Sequence, residues 1–112
     1  LYLGAARNQL PVVIDGYISA VAALAAYMMA PDCVSYMFAS HKSWEKGYMY
    51  AMNHLGLRPF LDLDMRLGEG SGCPIAFEVL RGACDVMCHM ATFEEAEIND
   101  DYLDEIREGD CF

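Results

Sequence analysis

Three short β-like runs, each followed by a helical one, leave this chain few architectures to choose from. PVVID at 11–15, SYMFAS at 35–40 and FLDLDM at 60–65 alternate with helical stretches at about 17–30, 44–55 and 73–90. Strands separated by a helix sit side by side most readily as parallel neighbours joined by a crossover, because antiparallel neighbours need only a tight turn. The expected fold is therefore α/β, a three-stranded parallel sheet with right-handed helical crossovers and the carboxyl ends of the strands on one edge. The punctuation agrees. Gly16 closes the first strand, Pro31 stops the first helix, and Gly56 stands where a helix ends on a left-handed residue before Pro59.

With 112 residues, one small domain is the prior. The longest apolar run, ISAVAALAAYMMA, falls short of the roughly 18 residues a membrane span needs, which predicts a soluble protein with no membrane partner. Seven Lys and Arg against 17 Asp and Glu give a formal charge of −10, which repels phosphate backbones and argues against nucleic acid as a partner. Cys33, Cys73, Cys84, Cys88 and Cys111 are an odd number and include no C-x-x-C pair, so a reduced, cytoplasmic protein is expected rather than a disulfide framework or a zinc knuckle. The chain opens at Leu1 with what reads as the middle of an element, and is expected to be a piece of something longer.

The run RLGEGSG, Arg66 to Gly72, follows the third β-like run and precedes a helix with Pro74 in its first turn. Open α/β sheets bind ligands at such strand-to-helix junctions. Gly68, Gly70 and Gly72 allow backbone torsions closed to other residues and let a ligand approach the main chain, and amides of the first helical turn can receive an anion. The spacing is not the G-x-G-x-x-G of dinucleotide sites, and no ribose-binding acid follows. Two readings of Glu69 stand open on spacing alone: a ligand-facing carboxylate, or the acid of a tight turn that favours the helix dipole.

Taken together, LPVVIDGYISAVAAL, YMFASHKSWEKGY, HLGLRPFLDLDMRLGEGSG and MATFEEAEI resemble, in order from about Leu3 to Ile98, the C-terminal third of the nicotinate-nucleotide-dimethylbenzimidazole phosphoribosyltransferases, enzymes of cobalamin biosynthesis. The resemblance implies that residues 1–98 are the C-terminal segment of the phosphoribosyltransferase domain of a larger, doubly wound α/β enzyme, with 99–112 an acidic terminal helix or tail. It implies transfer of the phosphoribosyl group of nicotinate mononucleotide to 5,6-dimethylbenzimidazole, a homodimer, no cofactor and no metal. Glu69 falls on the family's catalytic base. Leu67, Gly68, Gly70, Ser71 and Gly72 fall on its substrate-binding loop, joined by Ser40 and His41 at the end of the second β run. The chemistry asks for such an acid. As the azole nitrogen attacks the anomeric carbon, its N–H proton must leave, and a carboxylate in reach of it gives general-base help of about 10²- to 10⁴-fold. The family's glycine-rich phosphate loop lies upstream of the matched region, so the chain is expected to hold the base loop without the full substrate site. The alternatives are a non-catalytic α/β fragment and a self-associating acidic module.

Other candidates have blander readings. Asp62 and Asp64 share a strand face with Arg66, and an internal or subunit-facing network is expected rather than a metal, since a third ligand is missing. Asp15, ending the first strand, is read mainly as structural. Cys84, Cys88 and His89 lie within about a helical turn, and core packing is expected of the two cysteines. The eight methionines read as core or interface filler.

Overall fold

A computed structural model describes residues 1–97. Helix α1 (Tyr2–Arg7) leads into strand β1 (Val12–Ile14), helix α2 (Tyr17–Met29), a 3-10 turn (Pro31–Tyr36), strand β2 (Met37–Ala39), helix α3 (Lys46–Leu55) and helix α4 (Gly72–His89). The residues fall into two compact units, Leu1–Leu80 and the part from Arg81 on. In the described part of the second unit, Thr92 and Glu95 form a reciprocal capping box: the Thr92 amide donates to the Glu95 carboxylate at 2.9 Å and the Glu95 amide to the Thr92 hydroxyl at 3.2 Å. The acidic tail expected at 99–112 lies outside the described residues.

The first unit is built on a parallel pair. Val12, Val13 and Ile14 stand opposite Met37, Phe38 and Ala39, with α2 as the crossover between the strands. Ala20, Ala23 and Ala26 form a buried stripe on α2, whose small side chains let α3 pack closely through Tyr48, Ala51, Met52 and Leu55. Helix α3 ends at Gly56, which takes a left-handed φ of 67°, and the Leu57 amide reaches back to the Met52 carbonyl at 3.0 Å. This is the glycine stop read from the sequence.

Among the described residues two strands form where three were expected. The FLDLDM run contributes one parallel bridge, His41 with Leu61, made by the Leu61 amide on the Ser40 carbonyl at 3.0 Å and the Lys42 amide on the Leu61 carbonyl at 2.8 Å. The direction is the expected one, but the ladder does not extend. Pro59 has no N–H to give it, and Asp64 turns into the left-handed region at φ 52°, leaving Asp62 and Asp64 in solvent. Helix α1 and the 3-10 turn are additions to the sequence reading, and β2 starts only at Met37 because that turn occupies the first residues of the SYMFAS run.

A second correction concerns the cysteines of α4. Cys84 and Cys88 are exposed, as are Val86 and Met87, and do not belong to the buried core. An apolar helical face needs a partner surface to become core. Among the described residues no three metal-ligating side chains converge, and no helix is long and apolar enough to cross a membrane.

Candidate active site

The glycine-flanked loop is shaped by three consecutive left-handed residues, Gly68 (φ 71°), Glu69 (φ 55°) and Gly70 (φ 79°). Glycine adopts this region freely, whereas for Glu69 it is strained, so the loop needs outside support. Asp15 supplies it. At the end of β1, its two carboxylate oxygens accept the Gly70 N–H at 2.9 Å and the Gly72 N–H at 3.0 Å. The first-turn amide of α4 that could have received an external anion is thus occupied by a carboxylate of the chain itself. Asp15 is held in turn, its amide donating to the Ser19 hydroxyl at 3.0 Å while that hydroxyl donates to the Gly16 carbonyl at 2.8 Å.

Behind the loop lies a buried polar cluster. The Ser40 hydroxyl donates to the Ile14 carbonyl at 2.7 Å, and His41 places Nδ1 3.1 Å from that hydroxyl and 3.7 Å from the Asp15 carboxylate. Gly72 is packed against both: a Cβ there would run into the His41 ring and lie 2.8 Å from the Ser40 Oγ. Gly72 is required for this close approach. The Ser71 hydroxyl is buried with no hydrogen-bond partner among the described residues.

In front of the loop opens a cavity of about 670 Å³. Leu3, Ile18, Ala22, Ala25 and Met29 from α1 and α2 give it an apolar wall, and Asp15, Glu45 and the Gly68–Gly70 turn close it on the polar side with Glu69 at the rim. A flat apolar heterocycle fits such a lining, with the Glu45 and Glu69 carboxylates on its polar side in place to meet a ring N–H. A second cavity of about 240 Å³ shares Glu45 and Gly68 with the first and is lined further by His41, Trp44, Arg66 and Leu67. There the Arg66 guanidinium stacks 4.2 Å from the Trp44 ring centroid, fixing the start of the loop. Burial, reinforced by the Asp15 charge, pushes the Cys73 thiol up, which keeps it a thiol beside the loop.

The structure therefore brings Leu67, Gly68, Glu69, Gly70, Ser71 and Gly72 together with Ser40 and His41, the latter two buried behind the loop. Asp62 and Arg66 do not form one network: Asp62 pairs in solvent with Lys42 at 3.2 Å, and Arg66 belongs to Trp44. The sequence reading took Asp15 mainly as structural and did not single out Glu45. For Asp15 the available signal was an acid closing a buried strand opposite a glycine-rich turn; for Glu45, which accepts a hydrogen bond from the Ser43 hydroxyl and lines both cavities, the local sequence carries none.

A family model described as phosphoribosyltransferase matches residues 1–98. The chain is 54% identical over its full 112 residues to the nicotinate-nucleotide-dimethylbenzimidazole phosphoribosyltransferase of Clostridium perfringens (strain ATCC 13124), covering 31% of it. It is 51% identical over 98 residues, 88% of the chain, to the protein of that name from Chloroflexus aggregans, covering 28% of it. Among solved structures, CobT from Thermus thermophilus superposes with a TM-score of 0.82 at 44% identity, over 88% of this chain and 29% of that one. The chain thus spans about three-tenths of the length of the curated relatives it matches.

Proposed function

This chain belongs to the phosphoribosyltransferase family, as a segment of the nicotinate-nucleotide-dimethylbenzimidazole type, and from that membership we propose that its Glu69 loop is the base-bearing part of an enzyme that joins nicotinate mononucleotide to 5,6-dimethylbenzimidazole. In this reading the azole nitrogen bonds to the anomeric carbon of the ribose as the bond from that carbon to nicotinate breaks. The configuration inverts from β to α, the azole N–H proton passes to the Glu69 carboxylate, and the products are α-ribazole 5'-phosphate and nicotinate. The observation that carries the reading is the placement of Glu69, held in a left-handed turn at the rim of a largely apolar cavity of about 670 Å³. Gly68 and Gly70 shape the ligand's edge of the site, Leu67 leads into the loop from the second cavity, and Ser40, His41, Ser71 and Gly72 support it from behind.

Residues 1–98 are the C-terminal segment of the catalytic domain, matching the span of the family model. The enzyme works as a homodimer, for which the exposed apolar side chains Ile18, Met28 and Met29 on α2 offer a surface. Cys33, Cys73, Cys84 and Cys88, free thiols all, suit a reducing cytoplasm.

The test is a single-turnover assay of α-ribazole phosphate formation in a full-length phosphoribosyltransferase in which these 112 residues occupy the matching segment. Glu69→Gln keeps the size and one hydrogen-bonding oxygen, so nicotinate mononucleotide binding is expected to stay near normal while transfer slows by about 10²-fold or more. Near-normal transfer by this variant would remove Glu69 from the mechanism.

A further inference from the structure

The base loop contains a contradiction that only a residue outside it resolves. Glu69 must project its carboxylate from a backbone conformation that side-chain-bearing residues avoid, and it has flexible glycines on both sides. Left to itself, Gly68–Glu69–Gly70 would sample many conformations, and the carboxylate would sweep through a wide arc. In the structure the downstream part of the turn is pinned by one side chain more than fifty residues away in the chain. Asp15 takes the Gly70 and Gly72 amides on separate oxygens, and these are charge-assisted bonds, stronger than neutral ones.

Asp15 is itself fixed from three directions. Its backbone continues β1, its amide is tied to the Ser19 hydroxyl, and His41 stands against its carboxylate. The orientation of that histidine follows from the proton count. The Ser40 hydroxyl has one proton, directed at the Ile14 carbonyl at 2.7 Å, so towards His41 it can only accept. Nδ1 therefore carries a hydrogen, and that hydrogen lies on the side of Ser40 and Asp15. The side chain that holds the loop is thus backed by a donor rather than by a competing acceptor.

We propose that Asp15 is a positioning residue for Glu69: by holding the Gly70 and Gly72 amides it sets where the base carboxylate stands, and it contributes to turnover through that placement. The proposal rests on the reading of Glu69 as the base. Misplacing a reacting group by about 1 Å costs on the order of 10²-fold in rate, so a loosened loop should lower kcat far more than it raises KM.

The experiment measures kcat and KM in the same full-length enzyme for Asp15→Asn, Asp15→Glu, Glu69→Gln and the Asp15→Asn/Glu69→Gln pair, with amide hydrogen exchange followed at Gly70, Gly72 and β1. Asparagine keeps the shape but turns an NH₂ towards one loop amide; glutamate keeps both acceptors and displaces them by one methylene. Each is expected to lower kcat by about 10- to 100-fold with KM for nicotinate mononucleotide little changed, and to speed exchange at Gly70 and Gly72 while Val12–Ile14 stay protected. In the pair, kcat should fall no further than in Glu69→Gln alone, because a positioned base that is already absent cannot be misplaced. If Glu69→Gln keeps its kcat, the base assignment fails. If Glu69→Gln loses kcat but either folded Asp15 variant keeps it, or the losses multiply in the pair, the positioning role alone is overturned. Loss of β1 protection in both Asp15 variants would assign Asp15 a purely structural role and overturn it equally.

Discussion

Among single residues, the most informative after Glu69 and Asp15 is Tyr48, whose side chain is fully buried on α3 with a hydroxyl that finds no hydrogen-bond partner among the described residues. Burial pushes its ionisation well above the ordinary tyrosine range, helped by the nearby Asp15 charge. A group with a raised folded pKa contributes stability that is fully present below its unfolded value, about 10 for tyrosine, and that is lost as the pH rises from there towards the folded value. Folding stability should accordingly fall above about pH 10. Tyr48→Phe should flatten that fall, leaving the smaller contribution of Tyr2, which burial also raises. At neutral pH the substitution should be neutral or stabilising by up to about 1 kcal/mol, because it removes an unmet polar group without opening a cavity. Melting temperatures from pH 7 to 11 check both expectations; a loss of more than about 2 kcal/mol at neutral pH would mean the hydroxyl has a partner.

Between elements, the packing of α2 on α3 depends on side-chain size. Ala20 and Ala23 are fully buried, and the interhelical space they leave is filled by Tyr48 and Met52. Ala23→Leu should cost about 1–3 kcal/mol through overpacking, whereas the same change at exposed Ala25 should be nearly silent for stability while narrowing the cavity beside Glu69. Denaturant titration separates the two. Equal effects at both positions would contradict the burial pattern of α2. The single bridge at Leu61 has a related logic: it fixes the start of the segment leading to the loop, and beyond it the backbone is free to turn at Asp64 and deliver Glu69 to the cavity. A longer third strand would carry Arg66 and Leu67 past that point.

For the whole molecule, the governing fact is how much apolar surface the chain leaves uncovered. Ile18, Met28 and Met29 on α2 are each more than two-thirds exposed, as is Met87 on α4, and the chain spans only about three-tenths of its curated relatives' length. Apolar surface of this extent ordinarily meets a partner. The 112-residue chain by itself is therefore expected to self-associate or bind an apolar dye, and Ile18→Lys with Met28→Lys should reduce both. Sedimentation velocity with dye titration measures this; a monomer without dye binding at micromolar concentration would show that the face needs no partner.

What the sequence by itself determined is local and periodic. The alternation of β-like and helical runs dictated parallel pairing, Gly56 dictated the end of α3, and the glycines around Glu69 dictated a turn that ordinary residues resist. These follow from torsional preferences and hydrophobic spacing, which act over a few residues and are written in the chain. Only the tertiary structure decided the rest. That Asp15 supports a loop more than fifty residues away, that Ser40 and His41 stand behind it, and that Glu45 lines both cavities depend on which side chains the crossover brings face to face. The exposure of Cys84 and Cys88 has the same origin, since a helical face becomes core only where another surface covers it, and coverage is a property of the assembled fold.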